Sequence, residues 1–138
     1  MDKTAPRAGR ITAFIVEDSP HIRERLSALL SQTGGIAIVG EADTPQAAVE
    51  GILRTRPDSV VLDIQLVGGS GLQVLKTVRP VAPGTVFVVL TNHPDSQYRR
   101  IFANAGASAF LDKTTEFDLV AKAIIAGAER RTQIPNLL

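Results

Sequence analysis

Five short apolar runs rich in β-branched residues, at 11–17 (ITAFIVE), 36–42 (IAIVGEA), 59–63 (SVVLD), 85–91 (TVFVVLT) and 108–111 (SAFL), alternate with stretches of helical period. Runs this short suit strands, and their regular alternation with helical segments is a βαβ rhythm. Between them apolar residues recur at the 3.6 spacing of one helix face: Ile22, Leu26, Leu29 and Leu30, then Ala48, Val49, Ile52 and Leu53, then Leu72, Leu75 and Val78. Tyr98, Ile101, Phe102 and Ala105 continue the pattern, and Phe117, Val120, Ala121, Ile124, Ile125 and Ala128 complete it. The class this predicts is α/β, a parallel sheet of five strands with five helices.

Punctuation agrees with that division. Ser19 before Pro20, Thr44 before Pro45 and His93 before Pro94 each predict an N-cap followed by proline at the first helical position. Ser70 with Gln73 and Thr115 with Asp118 have the spacing of capping boxes or their close relatives. Gly34 and Gly106 suit left-handed positions after the first and fourth helices.

Burial orders the strands, because a strand covered on both faces reads as a continuous apolar run. The segments FIV, VVL and VFVVL are then central, while the second run, interrupted by Gly40 and Glu41, and the short fifth run are edges. With right-handed crossovers the order 2-1-3-4-5 follows, a doubly wound sheet.

Composition removes several classes of function. Fifteen Lys and Arg against 14 Asp and Glu leave a net charge of +1, so no polybasic footprint points to direct nucleic-acid binding. The chain has no cysteine and two histidines, which excludes disulfides, thiolate zinc and a cysteine nucleophile. The amino terminus has no apolar signal core, and no apolar run approaches the ~20 residues of a membrane span. A cytoplasmic location without membrane contact is expected. The expected organisation is a tail at 1–10, one domain at 11–129 and a tail at 130–138.

In open α/β sheets ligands bind outside the carboxyl ends of the strands, where strand order reverses. Glu17 and Asp18 end the first strand, Asp63 the third and Thr91 the fourth, and Lys113 follows the fifth. Strands about 4.8 Å apart bring Asp18 and Asp63 close together. Three acids in so small a space either share protons or hold a hard cation, and Mg²⁺ suits one or two carboxylates with carbonyls and waters. Lys113 stands two strands from Asp63, roughly 10 Å by strand spacing, a gap that only a long cation pointing inward narrows.

Taken together, these residues resemble the receiver (CheY-like) domain of two-component response regulators, with its flavodoxin-like fold. The resemblance is carried by Glu17-Asp18, Asp63 in VVLDIQL, Gly71 eight positions later, Thr91 in VVLTN, Ala105-Gly106-Ala107, and Phe110-Leu111-Asp112-Lys113, and it extends from about Ile11 to Ala128. It implies that Asp63 accepts a phosphoryl group from a sensor histidine kinase, a phosphotransfer protein or a small phosphodonor. It implies Mg²⁺ held by Asp18, Asp63 and the backbone carbonyl of Gln65, with Glu17 acting through water. Lys113 would offset phosphoryl charge, and Thr91 would bond the phosphoryl and let Phe110 turn inward. The signal would leave through the fourth helix, fifth strand and fifth helix, to an unidentified downstream protein or through a homodimer. Tyr98, Arg99 and Arg100 lie on or near that face, where Arg99 and Arg100 read as solvated and Tyr98 as packing.

Departures from the family pattern carry expectations of their own. Val67 stands where proline is frequent and Gly68-Gly69 follow it, which predicts a more mobile loop. Thr114 replaces the proline often found after the lysine, so a cis peptide is not assumed there. Phe110 lacks a switch tyrosine's hydroxyl and can act only by shape. Asn92 takes the place of a smaller residue, and Gln65 and His93, two positions beyond Asp63 and Thr91, flank the path of an attacking water. These three are expected to tune phosphoryl lifetime.

Gln65 also occupies the position where aspartate-nucleophile phosphatases carry a second acid, so catalysis on an external substrate is disfavoured beyond self-phosphorylation and slow autodephosphorylation. A stand-alone receiver is the reading chosen. Its alternative is the receiver fragment of a DNA-binding transcriptional regulator, since 130–138 is too short for a helix-turn-helix.

Overall fold

The computed structural model describes residues 10–133; the expected terminal tails fall largely outside them. Five parallel strands form one sheet: β1 (Ile11–Val16), β2 (Ile36–Ala42), β3 (Ser59–Leu62), β4 (Val86–Thr91) and β5 (Ala109–Asp112). Their order is β2-β1-β3-β4-β5, as the burial argument requires. The helices are α1 (Pro20–Gln32), α2 (Pro45–Thr55), α3 (Gly71–Val78), α4 (Ser96–Ala105) and α5 (Val120–Gln133), the last running past the expected domain boundary at 129.

Strand alternation divides the core into two layers. Phe14, Val16, Val60, Leu62, Phe87 and Val89 face Ile52, Val74, Leu75 and Phe102 of α2, α3 and α4. Ala13, Ile15, Val61, Val88 and Leu90 face Leu26, Leu30, Val120 and Ile124 of α1 and α5. Burial on both faces is why the three central strands read as unbroken apolar runs. Gly40 is part of this packing. The β1–β2 register shifts where Phe14 pairs with Gly40, and a Cβ on either Gly40 or Gly51 would stand 2.6 Å from the Phe14 ring.

Several local expectations are corrected. α4 is capped by Asp95, whose carboxylate accepts from the Tyr98 N–H, and not by His93, whose ring is drawn instead to Gln65. The Thr115–Asp118 box does not form. Asp112 accepts from the Thr114 N–H, Glu116 turns back to the Asp112 N–H, and a 3₁₀ turn (Phe117–Leu119) without a side-chain cap leads into α5. After α1 the positive φ belongs to Gly35, not Gly34, while Gly106 does cap α4 in the left-handed region. The segment expected to be a more mobile loop is a two-stranded ribbon: Gln65 pairs with Ser70 and Leu66 with Gly69, around a turn in which Gly68 has φ 82°. The Ser70–Gln73 capping box forms in full, and among the described residues no peptide is cis.

At the opposite end of the sheet from the strand termini, Asp58 joins three elements. Its carboxylate accepts from the Thr12 N–H and hydroxyl and from Arg131, which also donates to the Gly84 carbonyl. Burial pushes the Asp58 carboxyl up, but these hydrogen bonds and the Arg131 charge outweigh it and hold the group below the ordinary value. A lowered acid adds stability that is complete above the unfolded-state value and lost as pH falls through the folded one. Thermal melts of Asp58→Asn should therefore fall less steeply than the parent's below about pH 4; parallel profiles would remove Asp58 from the acid response.

Candidate functional site

β1 ends at Val16 and β3 at Leu62, so Glu17, Asp18 and Asp63 lie just beyond the strand ends, at the point where strand order reverses. Asp63 is seated by its own chain. Its N–H donates to the Val16 carbonyl, and its Oδ1 accepts from the Ile64 N–H at 2.7 Å. Gly71 explains itself here: its N–H donates to the Ile64 carbonyl, and a Cβ at that position would overlap the Asp63 carbonyl oxygen. The turn that returns the chain to α3 thus passes against the backbone of the acid, which only glycine permits.

One ligand oxygen each from Glu17, Asp18 and Asp63 lie within 4.8 Å of one another, as the strand spacing predicts. Lys113 closes the gap completely. Its Nζ lies 2.8 Å from Glu17 Oε1 and 2.9 Å from Asp63 Oδ2, with exposures of 9% for Lys113, 2% for Glu17 and 7% for Asp63. Lys113 is aimed by the sheet, since its N–H continues the ladder to the Thr91 carbonyl. Burial pushes the Glu17 carboxyl up, and the Asp63 charge adds to this; hydrogen bonds from Lys113 and the Ser19 N–H offset only part of it. Burial works against the Lys113 charge, but the two acids prevail and raise its pKa. Such a basin of acids around one buried cation can hold a divalent metal and neutralise an incoming phosphoryl.

Thr91 is fully buried at the end of β4, and its hydroxyl oxygen accepts from the His93 N–H at 3.0 Å. The hydroxyl proton therefore stays available to another acceptor. Gln65 and His93 meet at the surface, Oε1 to Nε2 at 3.2 Å, and the His93 ring meets Tyr98 edge-on with centroids 6.4 Å apart. Asn92 is exposed beside them. Phe110 is half-buried and packs against Phe102 with centroids 6.1 Å apart.

Two contributors are not legible in the sequence. Arg23 donates to the Glu17 carbonyl at 2.7 Å, steadying the first acid. Arg99, expected to be solvated, is indeed exposed but donates to the Phe110 carbonyl at 3.0 Å and lies over its ring. No periodicity links Arg99 to a residue on a different element, so no local signal could have found the pair.

The chain matches the response regulator receiver domain over residues 13–125 and belongs to that family. Among known relatives it is 30% identical over 134 residues to NarL of Mycobacterium tuberculosis, named as a transcriptional regulatory protein, covering 96% of this chain and 62% of that one. It is 28% identical over 130 residues to a protein-glutamate methylesterase/protein-glutamine glutaminase of Syntrophus aciditrophicus, covering 90% of this chain and 37% of the other. The chain therefore spans less than two thirds of the length of these relatives. Among solved structures, the signal receiver domain of NarL from M. tuberculosis superposes with a TM-score of 0.81 at 30% identity, covering 87% of this chain and 97% of that one. The response regulator domain of Thermotoga maritima CheB shares the fold, with a TM-score of 0.78 at 22% identity over 91% of this chain and 98% of that one.

Proposed function

We propose that Asp63 is the phosphoacceptor of a two-component phosphorelay. The observation that carries this is the convergence of Lys113 on Asp63 and Glu17, with Asp18 within ligand distance of both acids. A carboxylate oxygen of Asp63 forms the new P–O bond. The P–N bond of a kinase or phosphotransfer-protein phosphohistidine breaks and the leaving imidazole takes up a proton, or the P–O bond of a small acyl phosphate breaks and its carboxylate leaves as the anion. Mg²⁺ fits the donor set: Asp18 and Asp63 would hold it with the Gln65 backbone carbonyl, Glu17 acting through water. When bound, the metal supplies positive charge to the transferring phosphoryl. Lys113 holds the phosphoryl charge from the other side, and the Thr91 hydroxyl donates to a phosphoryl oxygen.

Phe110 then turns, and the signal leaves through α4, β5 and α5 to a downstream protein or a second copy. Catalysis is confined to phosphoryl uptake at Asp63 and its slow hydrolysis. Among the described residues no helix is long and apolar enough to cross a membrane; a cytoplasmic setting is proposed from membership of the family alone. The domain proper would occupy 11–129. A stand-alone module is the reading chosen; the NarL match, reaching 62% of that protein, favours a second, the receiver of a DNA-binding regulator. Sequencing the coding region beyond both ends separates the two.

The direct test is incubation with Mg²⁺ and a small acyl phosphate, then mass spectrometry. A single phosphoryl adduct on the peptide containing Asp63 is expected; no adduct, or one elsewhere, overturns the reading.

The Gln65–His93 contact joins the segments that follow Asp63 and Thr91, and there it would hinder the approach of water to the aspartyl phosphate. Loss of one hydrogen bond of about 1 kcal/mol corresponds to roughly five-fold in rate. His93→Ala and Gln65→Ala should each shorten the phosphoryl half-life by about that factor, timed by phosphate release. Equal half-lives in parent and variants would remove the pair from the reaction.

A further inference from the structure

The geometry points to Arg99 as a restraint that holds Phe110 in the unphosphorylated arrangement and so sets how readily phosphorylation switches the signalling face. This rests on the reading of Asp63 as the phosphoacceptor. β5 has a neighbour on one side only, so its other edge carries backbone groups that no strand satisfies. Side chains take them: Glu116 accepts from the Asp112 N–H at 2.9 Å, and Arg99 donates to the Phe110 carbonyl at 3.0 Å.

The Arg99 contact is double. While one guanidinium nitrogen holds the carbonyl, the guanidinium carbon lies 4.8 Å from the centroid of the Phe110 ring. The backbone bond fixes where the plane sits and leaves its face for the ring, a combination open to the flat guanidinium and not to a lysine ammonium. Phe110 is thereby held between Arg99 and the buried Phe102.

This contact is formed while the Thr91 hydroxyl is engaged within its own loop. Thr91 pairs with Asp112, and Val89 with Phe110, so movement at the end of β4 is felt directly along β5. If Phe110 changes rotamer when Thr91 is drawn to the phosphoryl, the ring leaves the guanidinium face while the carbonyl bond remains. A contact present in one state and absent from the other biases the equilibrium by its own worth. Exposed cation–π contacts correspond to about two- to five-fold in an equilibrium constant.

The full chain can be titrated with beryllofluoride in excess Mg²⁺, reading the fluorescence of Tyr98, the single tyrosine in a chain without tryptophan. Arg99→Ala should lower the half-saturating beryllofluoride concentration by about two- to five-fold, and Arg99→Lys should follow it. In a Phe110→Leu background the effect of Arg99→Ala should vanish, which a general structural role would not produce. An unchanged or weaker affinity in Arg99→Ala, or the same shift in the Phe110→Leu background, overturns the inference alone. A parent that does not titrate overturns the phosphoacceptor reading, and the inference with it.

Discussion

Asp63→Asn should take up no phosphoryl group from a small acyl phosphate in Mg²⁺, where the parent gains one. The amide is nearly isosteric, and its oxygen can still accept from the Ile64 N–H that now bonds Oδ1. What it loses is the negative charge that, in the proposed reaction, attacks phosphorus and would bind the metal. The change should leave the fold intact, because Lys113 keeps Glu17 as its partner at 2.8 Å and one of the crowded acids has been neutralised. Circular dichroism and thermal melts should therefore match the parent while the adduct disappears from the mass spectrum. A variant that folds normally and still carries an equal adduct would place the chemistry on another residue.

Lys113→Met should produce the largest loss of stability at the site. The lysine lies between two buried carboxylates, and its removal leaves both without a counter-charge in a water-poor basin. Breaking a buried pair by deleting one partner costs about 3–5 kcal/mol. The pH dependence follows from Glu17, whose carboxyl burial already pushes up. Such a group is easier to keep folded when protonated, so the deficit of the variant should shrink as pH falls and widen as Glu17 ionises. Mg²⁺ should also narrow it, by supplying the missing positive charge. Urea unfolding with and without Mg²⁺, at acidic and neutral pH, checks both effects. Equal stability of variant and parent without metal at neutral pH would mean the acids find their compensation elsewhere.

The two variants separate what the acids and the cation contribute. On the proposed reading Asp63→Asn should remove the reacting group and spare the fold, whereas Lys113→Met should strain the fold and leave that carboxylate in place. Both depend on residues legible in the sequence, because strand ends are marked by the passage from apolar runs to polar residues, and the sheet order says which ends adjoin. The side-chain direction of Lys113 was expected only as an inward reach across roughly 10 Å of sheet. Its contact with Asp63 at 2.9 Å, and its equal claim on Glu17, depend on how far the buried side chain extends.

The misread caps share one cause, competition for polar partners, some a few residues away and one on a distant segment. His93 has the right neighbour in Pro94 to cap a helix, but Gln65 engages its ring and Asp95 takes the helix end. Thr115 and Asp118 have the right spacing for a box, but Asp112 and Glu116 turn that segment onto the edge of β5.

By itself the sequence determined the doubly wound sheet, its strand order and the strand-end positions of Glu17, Asp18, Asp63, Thr91 and Lys113, because hydrophobic period and the parallel-sheet rules act along the chain and across neighbouring strands. Only the tertiary structure decided that Lys113 bridges two acids, that Gln65 meets His93, and that Arg99 grips Phe110. Each of these is a contact between side chains on different elements, and its existence depends on angles and reaches that no one-dimensional period records.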